Sequence, residues 1–373
     1  MAEEIDSINE YERVSLLAKK HWDEIAKPID SLGLLEDYVV KLCSISGSEK
    51  PYMLDKKAVL CLCADHGVVA EGVTQTDSSV TKVVSDNFAS GKSTVNIFSK
   101  IAGADVFVVD VGIDCDNYPE KRLVTGQVVD RKIRRGTENL AIKAAMSTEE
   151  CKRAVELGVT LVKELRDMGY KIIATGEMGI GNTTPTSALA AYILELPAAT
   201  VTGKGAGLSD EGLKKKRRVI EQAVARTVAV HGRLYGDENR MSETQERMPG
   251  VLAEIGGLEI AAMVGVYLGG VKYKLPVIID GAISSVAALV AYCMDDRVPQ
   301  YALASHVSEE LTGRLALERL GLVAMLHGRM CLGEGTGAVA LMPLLDMAME
   351  EYATMGSFGD YKLQAYHRFD LKR

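Results

Sequence analysis

Two glutamates stand between glycines, where a carboxylate and a flat ligand can meet. Glu334 lies in LGEGTG (332–337), just before an apolar segment that reads as a helix over 338–349, and Glu177 lies in IIATGEMGIGNTTPTS (172–187). Glycines let backbone and ligand approach closely. A carboxylate in a partly dry pocket has its pKa raised toward the range useful for a general base. A glutamate that only complements the positive end of a helix dipole would give the same local pattern, so both readings stand. The segment 172–187 reads as strand, turn, then Thr183-Thr184-Pro185 as a helix start. Amides at such a terminus favour a phosphate or carboxylate; a tight strand-to-helix connection is the alternative. A third turn, GKGAG (203–207), leads into Ser209-Asp210-Glu211, a good N-cap with an acidic first turn. Behind it runs Lys214-Lys215-Lys216-Arg217-Arg218. Five consecutive helical positions cannot face one ligand, so at most one or two of these cations reach a phosphate.

Other features exclude chemistry. SGKST (90–94) imitates the end of a phosphate-binding Walker loop, but Asp86 stands where the pattern needs its first glycine, and 79–89 reads as helix rather than strand. An interhelical turn is expected there, not an ATPase or kinase. Seven cysteines form an odd, scattered set without a CxxC pair, as expected of small buried residues in a reducing compartment. Six histidines show no ligand spacing, so no protein-bound metal is expected. The formal charge of −8 argues against a general nucleic-acid binder. The acidic start MAEEIDSINEYER lacks an apolar core for export, and the most apolar stretch, 277–294, is interrupted by Asp280, Gly281 and two serines. A cytoplasmic protein with no membrane contact is expected.

The elements that must position these turns follow from apolar periodicity. Short runs at 57–63 (KAVLCLC), 105–111 (DVFVVDV), 170–175 (YKIIAT) and 276–279 (PVII) alternate with helix-like segments, which predicts a parallel α/β sheet. They end in Asp65-His66-Gly67, Gly112-Ile113-Asp114, Gly176-Glu177 and Asp280-Gly281. Ligands bind beyond the carboxyl ends of such strands, so these turns are expected to line one crevice. Residues 8–44 and about 308–373 carry helical periodicity, broken at Lys27-Pro28 and Ser31-Leu32-Gly33. The chain ends, 1–44 and 308–373, are expected to form a small, mainly helical domain beside a large α/β domain over 45–307.

Taken in order, WDEIAKPIDSLGLLE (22–36), ADHGVVAEGVT (64–74), VVDVGID (108–114), GEMGIGNTTPTSA (176–188), LAEIGGLEIAAMVGVYLGG (252–270), PVIIDGAIS (276–284), SHVSEE (305–310) and LGEGTGAVALMPLLDMA (332–348) resemble the nicotinate-nucleotide:dimethylbenzimidazole phosphoribosyltransferase family. The resemblance implies a Rossmann-like parallel sheet flanked by helices, with a small helical domain from both chain ends, and a dimer whose base pocket lies near the subunit interface. It implies transfer of the 5-phosphoribosyl group of nicotinate mononucleotide to an aromatic lower-ligand base of cobamides. Glu334 falls on the family's catalytic glutamate, the base that takes the acceptor's proton. Glu177, Gly179 and Asn182 fall in the motif that holds the ribose and leaving group. Lys216, Gly281 and Ser308 match positions around the 5-phosphate, and Gly203 and Gly205 lie on the turn between these groups. No metal is required, because neither step needs a Lewis acid, and no cofactor is implied.

The chain departs from the family pattern after ADHGV. Relatives that use dimethylbenzimidazole commonly place a Ser and a Gln against the acceptor; Thr76 and Val84 stand at the matching positions, and Leu332 keeps the apolar wall. Losing the Gln amide makes the pocket more apolar and weakens discrimination for a ring NH. A phenol or p-cresol acceptor is therefore an alternative, and relatives of that kind work as pairs of homologous subunits. A nucleotide-sensing subunit without turnover is a further alternative, opposed by retention of both Glu177 and Glu334. The dimer partner is accordingly a second copy or a homologous subunit.

Overall fold

A computed structural model describes residues 9–205, 207–234 and 241–368. The chain divides into two compact units, Met1–Asp55 with Leu341–Arg373, and Lys56–Ala340.

The first unit is helical. Helix α1 (Glu10–Glu24) opens on a capping box in which Asn9 and Glu12 satisfy each other's backbone amides. Helix α2 (Leu34–Ser46) stops at Gly47, whose φ of +78° supplies the left-handed cap. Between them Lys27 and Glu36 pair at 2.5 Å, buried, with the ammonium 4.8 Å from the Trp22 ring centre. Residues 308–340, expected with this unit, belong to the other, because helix α13 (Leu311–Leu320) packs against helix α11 (Ala282–Met294) of the α/β layer.

The second unit is built on six parallel strands in the order β3-β2-β1-β4-β5-β6. These are β1 (Lys57–Ala64), β2 (Ala104–Gly112), β3 (Val128–Asp130), β4 (Ile172–Met178), β5 (Val277–Ile279) and β6 (Ala302–Ala304). All eight residues of β1 are buried, as a central strand covered on both faces requires. Two strands, β3 and β6, have no counterpart among the expected runs. Strand β4 extends past Thr175 through Met178, so Gly176 and Glu177 are strand residues paired with Cys61 and Leu62 rather than a turn.

Helices cover the sheet. Helix α5 (Thr148–Asp167) and helix α10 (Leu258–Tyr273) run against each other, and Gly158 and Gly265 allow it: a Cβ on either would strike the other helix's backbone. Helix α3 (Ser79–Ala89) and helix α4 (Thr94–Ala102) are joined by the SGKST segment, which is the expected interhelical turn. No helix among the described residues is long and apolar enough to cross a membrane.

Candidate active site

The strand order reverses between β1 and β4, because successive strands are laid down in opposite directions from that point. A crevice at the carboxyl ends of strands follows from such a reversal. A cavity of about 460 Å³ occupies it, walled by segments that follow β1 (Val73–Thr76, Val84), by the end of β4 and the loop after it (Glu177–Thr183), by segments that follow β5 (Asp280–Ser284) and β6 (His306, Ser308, Glu310), and by Lys204, Gly205, Leu208 and Cys331–Glu334. The turns after β1 and β2, expected to join it, do not line it. Asp65 instead accepts the Asp114 amide at 2.8 Å, tying those two turns together.

Glu177 sits near the end of β4 with its carboxylate facing the cavity floor. It accepts Asn182 Nδ2 at 2.5 Å, from the residue that begins helix α6 (Thr183–Leu194). Burial, then the negative charges of Asp280 and Glu259, push its pKa up to about 8, against the Asn182 bond and the Glu334 backbone.

Glu334 stands on the loop before helix α14 (Thr336–Thr354), with φ of +64° between Gly333 at +82° and Gly335 at +96°. The two glycines adopt this conformation freely, whereas Glu334 is strained in it and neighbouring bonds hold it there. Asp280, buried beyond β5, accepts the Gly335 amide at 3.1 Å and the Ala338 amide at 3.0 Å. Gly333 lies so close to Glu177 that a Cβ would collide with the carboxylate. The Glu334 carboxylate itself is half-buried, with Oε2 enclosed and without a hydrogen-bond partner. Burial raises its pKa above the usual range and Asp280 adds to this, while the Val95 amide at the start of α4 opposes it.

Of the other residues singled out from the sequence, Thr76, Val84, Gly179, Asn182, Gly205, Gly281, Ser308 and Leu332 line the same cavity. Gly203 and Lys216 do not. Gly203 lines an adjoining groove with Thr202 and Glu310. Lys216, on helix α8 (Asp210–His231), is the fully buried member of the basic run, and its ammonium donates to Thr183 Oγ1 at 2.6 Å. Burial lowers its pKa to about 8 despite the Glu310 carboxylate. Its charge thus stands one hydroxyl behind the cavity wall.

Sequence reasoning missed three contributors. Asp280 was visible only as a turn residue. His306, buried and hydrogen-bonded through Nδ1 to Ser305 Oγ at 2.9 Å, follows the three-residue strand β6 that no periodicity announces. Val95 directly follows the segment set aside as a false Walker loop. Among the described residues no group of three or more His, Cys, Asp or Glu is placed to hold a metal ion.

A six-stranded parallel sheet with buried carboxylates and a buried lysine gathered at its reversal point has the architecture of an α/β enzyme with its site at the carboxyl ends of the strands. The phosphoribosyltransferase family model matches residues 10–362, and this chain belongs to that family. It is 38% identical to the nicotinate-nucleotide–dimethylbenzimidazole phosphoribosyltransferase of Acetivibrio thermocellus over 97% of both chains. It is 40% identical to the enzyme of that name from Ruminiclostridium cellulolyticum over 98% of both. The solved structure of CobT from Thermus thermophilus superposes with a TM-score of 0.83 at 36% identity, over 94% of this chain and 99% of that one.

Proposed function

We propose that this chain moves the 5-phosphoribosyl group of nicotinate mononucleotide onto an aromatic lower-ligand base of cobamides, releasing nicotinate and inverting to an α-riboside phosphate. The observation that carries the reading is one cavity holding two carboxylates in different states, Glu177 hydrogen-bonded and buried, Glu334 with an enclosed, unpartnered oxygen. In this reading the ribose lies over 179–182, with Glu177 and Asn182 beside C1. The 5-phosphate lies toward Gly203, Gly205, Gly281 and Ser308, with Lys216 behind Thr183.

Nicotinate leaves readily because its pyridinium nitrogen is positive, and its departure leaves oxocarbenium-like charge on the sugar. Ionised Glu177 stabilises that charge. The substrate's own cation helps Glu177 to ionise on binding. The acceptor attacks from the opposite face while Glu334 Oε2 removes its proton, so attack and departure lie on opposite sides of C1 and the configuration inverts.

A second reading concerns the acceptor. Val73, Val84, Ile180 and Leu332 line the cavity, and both amide side chains that line it are already engaged, Gln75 with the Gly207 carbonyl and Asn182 with Glu177. An apolar wall with a single base suits a phenol or p-cresol as well as a benzimidazole. The protein works as a dimer in either case, with a second copy or a homologous subunit. Val83 on α3 and Ile97 and Ile101 on α4 support this, being large apolar side chains 58%, 58% and 80% exposed on the two helices that also carry Val84 and the Val95 amide. Free thiols at all seven cysteines fit work in the cytoplasm.

The test is nicotinate release and product mass after mixing the protein with nicotinate mononucleotide and, separately, dimethylbenzimidazole, adenine, phenol and p-cresol. Phenolic products select the second reading and azole products the first. Nucleotide binding without release from any acceptor would replace both with a sensing role.

A further inference from the structure

Directly behind the loop that joins β4 to α6, His66 Nε2 and Glu259 Oε1 pair at 2.8 Å with both side chains fully buried. His66 Nδ1 and Glu259 Oε2 are enclosed without hydrogen-bond partners. A buried pair so incompletely satisfied is a poor stabiliser, since desolvation offsets the attraction and each orphaned atom adds a cost. Its surroundings give it another use. A Cβ on Gly179 would stand 3.1 Å from His66 Nε2, and one on Gly181 would stand 3.5 Å from the His66 Cβ. One on Gly257, the cap of α10, would stand 2.5 Å from His66 Cε1 and 2.9 Å from Glu259 Oε2. The imidazole is therefore clamped between Gly257 and the loop 179–181, and that loop carries Glu177 at one end and Asn182 at the other.

We propose that His66 and Glu259 are positioning residues for phosphoribosyl transfer: the pair fixes the backbone of 178–182 beneath the ribose and places a negative charge behind Glu177. The kinetic part of this inference rests on the transferase reading above. The groups acting on Glu177 are Asp280 beyond β5, Glu259 on α10, Asn182 at the start of α6 and the Glu334 backbone, with the thiols of Cys61 and Cys63 on β1 also within its field. Glu259 is among the charges that hold Glu177 protonated up to about pH 8. Removing that charge lowers the Glu177 pKa. Removing the imidazole leaves Gly179 and Gly181 without the ring on which they rest.

The experiment compares wild type with E259Q, H66A and H66Q by two readouts. The first is the pH profile of nicotinate release. The second is calorimetry of nicotinate mononucleotide binding in buffers of different ionisation enthalpy, which counts protons released and needs no turnover. E259Q is expected to move the rising limb down by about one pH unit and to release fewer protons at neutral pH. H66A is expected to lower kcat/KM by about 10²-fold, the scale of an ångström-sized misplacement, and H66Q, which keeps a donor, to recover part of the loss. Variants that keep the wild-type limb, proton count and KM, whatever their melting temperatures, would reduce the pair to a structural one. Should E259Q not fold, E259D keeps the charge but withdraws it from His66. It is expected to keep the limb and weaken nucleotide binding, and unchanged binding would overturn the proposal. A wild type that binds the nucleotide yet transfers to no acceptor refutes the transferase reading alone and leaves the calorimetric comparison standing.

Discussion

Replacing Glu334 by Gln separates the proposed base from everything else the residue does. The side chains match in shape, and the left-handed loop is held by bonds the substitution does not touch: Gly335 and Ala338 amides to Asp280 at 3.1 and 3.0 Å, and Thr336 N–H and Oγ1 to the Gly333 carbonyl at 3.0 and 2.8 Å. Nucleotide binding should therefore survive within about threefold, since it depends on groups that stay in place. Turnover should not. A positioned base contributes about 10²–10⁴-fold, or roughly 3–5 kcal/mol of barrier. Stability should change in a defined direction. Because Glu334 has a raised pKa in the folded state, its ionisation weakens the fold as pH rises through that value. The Gln variant should thus melt no lower than wild type at neutral pH, and any advantage should vanish in acid, where the wild-type carboxyl is neutral too. Single-turnover nicotinate release, calorimetric affinity for nicotinate mononucleotide and thermal unfolding at two pH values give the three numbers. Release within about tenfold of wild type would remove Glu334 from the base role, because the loss is then below what base catalysis supplies.

Three further outcomes are expected. Glu177 must be ionised to meet the developing positive charge, so kcat/KM should rise with pH through about 8, its value in the free protein; a profile flat across that value counts against its electrostatic role. Asn182→Ala removes the hydrogen bond that favours the Glu177 anion, so the same limb should move to higher pH and turnover at neutral pH should fall, measured by the same assay. Ile101→Glu places a charge on the exposed apolar face of α4 and should convert a dimer to a monomer in sedimentation, whereas a wild type already monomeric at micromolar concentration would refute the dimer.

What could be read in the sequence depended on how far each signal reached along the chain. The run KAVLCLC announces β1, because a central parallel strand buries both faces and its apolar residues are contiguous. VVD and ALA, the strands β3 and β6, are too short for any period to register, and only pairing to β2 and β5 makes them strands. Glycine at 176 and 179 suggested a turn around Glu177, yet pairing with β1 continues through Met178, because neighbouring-strand hydrogen bonds outweigh local preference. Lys214 to Arg218 shows the opposite case. Helical periodicity allowed only one or two of these cations inward, and Lys216 is the one fully buried. Glu177 and Glu334 stood out by their glycine neighbours, but what those glycines do is non-local: Gly333 makes room for the Glu177 carboxylate and Gly176 for the Glu334 carbonyl. His66 and Glu259 gave no local sign of each other, one in a turn and the other at the head of an apolar helix.

The loop 333–335 also bears on the order in which the molecule is completed. Its left-handed backbone is held by carboxylates from β4 and β5, so it has nothing to fold against until the strands have closed into a sheet. Contacts so distant in sequence repay their chain entropy late. The carboxylate proposed as the base is therefore expected to be among the last groups set in place as the chain folds. A protein caught with its sheet formed and this loop still open would carry the nucleotide crevice without its base, and closing the loop is what would make it competent.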